Sequence, residues 1–121
     1  MPGWEAATMK KLVYIAAPYT HPDPVENTHK AIQVAEELIK YGFVPYVPHV
    51  SLLWHLVAPH PVSFWYEYDL HILYRCDCLL RIGGASEGAD NEVKYAQENS
   101  IPVFRSIQEL KEYDWGRNGE E

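Results

Sequence analysis

The feature that most constrains this chain is a set of four short apolar runs, at 12–17, 43–47, 78–82 and 101–104, with helical pattern between them. The first run, Leu-Val-Tyr-Ile-Ala-Ala, is continuous rather than alternating, as strands buried on both faces are, and Pro18 stops it. Asp23-Pro24-Val25-Glu26 then carries a helix-start signature. Asp23 suits the cap, Pro24 the first helical position, and Glu26 the return arm of a capping box. Ala31, Val34, Ala35 and Leu38 follow at helical spacing, and Gly42 is placed to end the helix. Prolines make the second strand short or place it at an edge. A loop rich in His, Trp and Pro is expected from 48 to about 61, then a helix capped by Ser63 and running through Tyr74. The third strand ends at Gly83-Gly84, and helices are expected at 88–99 and 107–113. This β-α-β-(α)-β-α-β-α order predicts an α/β fold: a parallel sheet of four to five strands with helices on both faces. In such sheets ligands sit beyond the carboxyl ends of the strands, here 16–21, 48–54 and 83–92.

A chain of 121 residues makes one domain, with its core expected at about 11–113 and loose ends at 1–10 and 115–121. Ten basic against 17 acidic residues leave a net charge of −7, which disfavours gripping a nucleic acid polymer by charge alone. It does not disfavour one small phosphate held by backbone amides. No apolar run approaches the roughly 20 residues of a membrane span, and Met1–Glu5 lacks the start of a signal peptide. A cytoplasmic location is expected. Cys76 and Cys78 stand too close for a structural disulfide and are, on the simplest reading, two small apolar residues entering a buried strand.

The richest segment chemically is Gly83-Gly84-Ala85-Ser86-Glu87-Gly88-Ala89-Asp90-Asn91-Glu92, between a strand and a helix. Amides there can converge on an anion, Ser86 can add a hydroxyl donor, and Gly88 lets backbone approach closely. The segment is neither a Walker A loop nor a G-x-G-x-x-G fingerprint. Glu92 has Gly88, Ala89, Tyr95 and Ala96 as helical neighbours. A carboxylate in the first turn on that apolar stripe is either a capping residue or a functional one, and the helix dipole favours its ionised form. Asp69 lies in the aromatic helix Phe64-Trp65-Tyr66-Glu67-Tyr68-Asp69-Leu70. It either pairs with Arg75 or His71 at the surface, or is buried among rings with a raised pKa, as suits a proton donor. Two carboxylates pushed apart in pKa suit glycoside cleavage.

Together, Tyr14-Ile15-Ala16-Ala17-Pro18-Tyr19, Asp69, Cys76-Asp77 and Ser86-x-Gly88-Ala89-x-x-Glu92 resemble the nucleoside 2-deoxyribosyltransferase superfamily, in particular its 2'-deoxynucleoside 5'-phosphate N-hydrolase-like branch. The resemblance covers roughly 11–105 and implies a Rossmann-like (flavodoxin-like) single domain. It implies that Glu92 attacks the anomeric carbon to form a glycosyl-enzyme intermediate, that Tyr14 holds Glu92, and that Asp69 helps protonate the departing base. Six residues before the nucleophile, transferases acting on free nucleosides carry an aspartate and nucleotide hydrolases a serine; this chain has Ser86. Three stretches depart from the family pattern: Gly88-Ala89-Asp90, Pro18-Tyr19-Thr20-His21, and 48–55.

The expected substrate-binding residues are Ser86, Gly88, Ala89, Ala16, Pro18, Tyr19 and His49. No cofactor or metal is required, since the histidines show no zinc spacing. Tyr19, Tyr46, Trp54 and Trp65 are candidates for stacking on a base or for a subunit interface, and Arg81 either serves phosphate or pairs with an acid. The expected activity is cleavage of the base–sugar bond of a (deoxy)nucleoside 5'-monophosphate by a homodimer or homotetramer. The alternatives are base exchange as a 2-deoxyribosyltransferase and a non-catalytic nucleotide-binding or sensing module.

Overall fold

The computed structural model describes residues 10–115. Four parallel strands, β1 (Leu12–Ala16), β2 (Val44–Tyr46), β3 (Cys78–Arg81) and β4 (Val103–Phe104), form one sheet in the order β2-β1-β3-β4. The helices are α1 (Pro24–Lys40), α2 (Ser51–Val57), α3 (Val62–Tyr74), α4 (Glu87–Glu98) and α5 (Ile107–Glu112), with a 3-10 turn at Pro48–Val50. The architecture is the expected α/β one, with four strands.

Alternation along β1 sorts the core. Val13 and Ile15 face α1 and α5, packing with Ala31, Ala35, Leu38, Leu80, Phe104 and Leu110. Tyr14 and Ala16 face α3 and α4, packing with Leu73, Leu79, Ala89, Val93 and Ala96. From β1 the chain runs outward to β2, then back across to β3, so the connection reverses between the neighbours β1 and β3. A crevice opens at the carboxyl ends of strands that diverge this way.

Asp23 caps α1, its carboxylate accepting from the Glu26 amide at 2.8 Å, with Pro24 in the first helical position. The edge position of β2 tolerates Pro45. Three expectations need correction. The segment read as a loop from 48 to 61 holds α2, because Pro48, Pro59 and Pro61 flank Ser51–Val57 and leave its interior free of helix breakers. Ser63 does not cap α3; Pro61 takes the cap position without a side-chain bond, and the turn is held by Phe64 donating to the Pro61 carbonyl at 3.0 Å. Trp115, expected in a loose tail, packs on the core, its ring 4.7 Å from that of Tyr113. The rest of the expected loose ends, at 1–9 and 116–121, lies outside the described residues.

Candidate active site

A cavity of about 390 Å³ lies at the carboxyl end of the sheet. Its walls come from the turn after β1 (Pro18, Tyr19, Thr20, His21), from Pro48 to His55, from α3 (Val62, Trp65, Tyr66, Asp69), and from the start of α4. Of the sequence-derived site residues, Glu92, Asp69, Ser86, Gly88, Ala89, Pro18, Tyr19 and His49 all line it. Tyr14 and Ala16 do not: both are buried in β1, and the Ala16 carbonyl is engaged by the Ile82 amide at 3.0 Å. Tyr14 reaches the cavity through Glu92, donating its hydroxyl to Glu92 Oε2 at 2.6 Å.

The two carboxylates are mounted alike. Register pairs Tyr14 of β1 with Tyr46 of β2, and the rings lie 5.6 Å apart on one face of the sheet. Tyr14 holds Glu92 of α4, while the Tyr46 hydroxyl donates to Asp69 Oδ1 of α3 at 3.3 Å. Asp69 is therefore buried and bonded to a sheet tyrosine rather than to its surface neighbours; Arg75 instead donates to the His71 carbonyl at 2.8 Å. Burial and the adjoining carboxylates hold the Tyr14 hydroxyl well above its ordinary value, and burial with Asp69 does the same for Tyr46, so both stay donors.

Burial pushes Glu92 up to about 7, with Asp69 adding to the rise and the Tyr14 hydrogen bond and Arg81 opposing it. Burial also pushes Asp69 up to about 7, against the pull of Tyr46. The pair is thus raised together instead of being split. Helix α4 begins at Glu87, so Glu92 stands sixth, in the second turn, where the helix dipole has faded and desolvation dominates.

Ser86 is the cap of α4. Its oxygen accepts from the Ala89 amide at 3.1 Å, and its carbonyl accepts from Asp90 at 3.0 Å. The Ser86 hydroxyl proton and the Glu87 and Gly88 amides remain without an intrahelical partner, whereas the Ala89 amide is already used. A Cβ on Gly88 would meet nothing within 4 Å. Gly83 turns at φ +83°, and a Cβ there would lie 2.6 Å from Pro18 Cδ, so glycine lets the two loops touch. Arg81 is buried and committed: Nε bonds Asp90 Oδ1 at 3.1 Å, and the remaining nitrogens donate to the Gly84 carbonyl at 2.7 Å and the Ile82 carbonyl. Arg81 braces the turn and pairs with an acid.

His49 is buried with Nε2 against the Pro18 carbonyl at 2.8 Å, which makes Nε2 the donor, and Nδ1 has no partner. Burial lowers its pKa and keeps it neutral. Of the aromatic candidates, Tyr19 and Trp65 line the cavity while Tyr46 and Trp54 do not. Cys76 and Cys78 are buried free thiols, and burial pushes Cys76 up to about 12. Two contributors escaped the sequence reading in these roles. Tyr46 became visible only through strand register. Asn27, buried on α1, donates to the Tyr19 and His21 carbonyls, both at 3.0 Å, and pins the loop over the cavity.

Among solved structures, a 2-deoxyribosyltransferase from the psychrotolerant bacterium Bacillus psychrosaccharolyticus shares the fold with a TM-score of 0.59 and 18% identity, over 88% of this chain and 94% of that one. No curated protein gives a match. Residues 11–106, which hold the four strands and every residue lining the cavity, match the domain of unknown function DUF7768, and the chain belongs to that family.

Proposed function

We propose that this chain is an N-glycosidase that cleaves the base–sugar bond of a (deoxy)nucleoside 5'-monophosphate. The observation that carries this reading is the pair of tyrosine-mounted carboxylates, Glu92 on Tyr14 at 2.6 Å and Asp69 on Tyr46 at 3.3 Å, facing one cavity. The fold shared with a 2-deoxyribosyltransferase agrees with it.

Ionised Glu92 attacks the anomeric carbon, and the C–N bond breaks with its electron pair passing to the base nitrogen. Asp69 gives its proton to the base, so a neutral base departs. Water then attacks the anomeric carbon of the glycosyl ester, returns a proton to Asp69 and releases Glu92, leaving a sugar phosphate. Tyr14 orients the nucleophile. The phosphate meets the free Ser86 hydroxyl and the Glu87 and Gly88 amides at the α4 N-terminus, where Arg81 offsets the Asp90 carboxylate and the Glu87 side chain must turn to solvent. Tyr19 and Trp65 flank the ring systems, and no cofactor takes part.

The molecule works as a single domain in the cytoplasm, as a homodimer or homotetramer, on a small nucleotide rather than a polymer or membrane. A transferase would resolve the same intermediate with a second base. A sensor would bind nucleotide unchanged after Glu92→Ala. Chromatography of free base released from ribo- and deoxyribonucleoside monophosphates, with Glu92→Ala as control, tests the proposal. Release by the wild type alone supports it. Turnover only with an added acceptor base would make the protein a transferase, and binding without any turnover would leave it a sensor.

A further inference from the structure

His55 stands on α2 and lines the cavity. Its Nδ1 accepts two hydrogen bonds, from the Trp65 indole N–H at 2.9 Å and from the His60 backbone N–H at 3.2 Å. Both partners are donors with no lone pair to offer. Nδ1 therefore holds no proton, and the hydrogen of the neutral ring sits on Nε2. Among the described residues nothing accepts from that Nε2, and it is not one of the buried polar atoms left without a partner. The tautomer is held from behind, because Trp65 is itself wedged edge-on against Trp54 at 5.3 Å and Tyr68 at 5.7 Å.

Trp65 and Asp69 are four residues apart on α3 and both line the cavity, one above the other. Trp65, which bonds His55, thus stands about one helical turn, roughly 5.4 Å, along α3 from the residue that protonates the base. With the start of α4 given to phosphate, the α2 wall is left for the base. Resting on the function proposed above, we infer that His55 is a specificity-determining residue that offers a fixed, neutral N–H to the leaving base. It selects bases with a carbonyl oxygen at the position it meets over bases with an exocyclic amino group there. A carbonyl completes the hydrogen bond, whereas an amino group sets donor against donor.

The test pairs 2'-deoxyinosine with 2'-deoxyadenosine 5'-monophosphate, and the uracil with the cytosine nucleotide, in wild type and His55→Asn. Asparagine places an amide oxygen near the Nδ1 position, so Trp65 and His60 keep an acceptor while the distal donor is lost. The wild type favours the oxo member of at least one pair by about tenfold in kcat/KM, the worth of one hydrogen bond, and His55→Asn reduces that ratio to within about twofold while keeping its Tm. Restoration of the wild-type ratio by asparagine would show that His55 only braces Trp65, and would overturn the inference. In parallel, nitrogen-15 NMR of the wild type reads the tautomer, where a proton on Nδ1 would also overturn it. If no nucleotide is turned over, the function reading fails alone. The same pairs are then titrated, and a tenfold difference in Kd that His55→Asn abolishes sustains the inference, while equal Kd values within a pair defeat it.

Discussion

Glu92 and Asp69 carry opposite duties from similar starting points, since both are raised to about 7. Catalysis needs Glu92 ionised and Asp69 protonated, one proton shared by the pair, and that state is most populated near pH 7. Activity is accordingly expected to rise with Glu92 deprotonation, fall with Asp69 deprotonation, and peak narrowly around neutrality. The two tyrosines set the limbs. Tyr14 holds Glu92 down, so Tyr14→Phe moves the acid limb to higher pH and lowers kcat/KM at pH 7 by about 10- to 100-fold, a hydrogen bond to a charged group being worth roughly 1.5–3 kcal/mol. Tyr46 holds Asp69 down, so Tyr46→Phe moves the alkaline limb upward and widens the profile. A pH–rate series in which both variants shift the same limb would contradict these assignments. Stability carries its own signature. Acids raised on folding bind more protons in the native state, so their contribution is present below the ordinary values of 4.5 and 3.8 and is lost as pH climbs through about 7. Glu92→Gln and Asp69→Asn should therefore raise Tm at pH 8 and change it little at pH 4 when melting is followed at both.

At the scale of elements, the start of α4 serves folding and binding at once, and substitution separates the two. Ser86→Ala removes a cap worth about 0.5–2 kcal/mol together with the hydroxyl offered to phosphate. Ser86→Asp keeps a good cap but sets a negative charge where the phosphate belongs. Thermal melting and a nucleotide-against-nucleoside comparison should thus show a lower Tm for the alanine variant only. The aspartate variant keeps its Tm while its preference shifts towards free nucleosides. An unchanged preference would remove Ser86 from the phosphate site. The cap of α1, the edge place of β2 and the parallel order of strands were all legible in the chain, because each depends on local backbone preference or on short-range pattern. Helix α2 was not, since the prolines that flank it outweighed a compatible interior. Nor was the Tyr46–Asp69 bond, because it needs the register of β2 on β1, a tertiary fact. Asp69 and Glu92 could be picked out by type and neighbours, but burial raised both instead of dividing them, and burial is set by helices distant in sequence.

For the whole molecule, the outer face of α2 and the start of α3 form apolar surface that the fold leaves uncovered. Leu53, Leu56, Val57 and Val62 are 69–84% exposed there, and α2 buries none of its residues. Apolar surface of this kind is where an interaction face is expected. Its charge pattern favours a second copy as occupant. Residues 41–66 contain none of the chain's 17 acidic or 10 basic residues, so two molecules of net charge −7 can meet there with their charges turned away. Beneath that face the Trp54, Trp65 and Tyr68 rings pack edge-on against one another, 5.3–5.7 Å apart. Because Ser51, His55, Val62 and Trp65 also line the cavity, association on this face would steady the wall opposite α4. Sedimentation equilibrium should find a dimer or tetramer for the wild type and a monomer for Leu53→Glu combined with Val57→Glu, two exposed positions whose change spares the core. The monomer should keep its Tm within a few degrees yet show a raised KM, since the wall loses support while the carboxylates keep their tyrosines. A monomeric wild type would reject the oligomer, and a variant that stays associated would move the interface to another face.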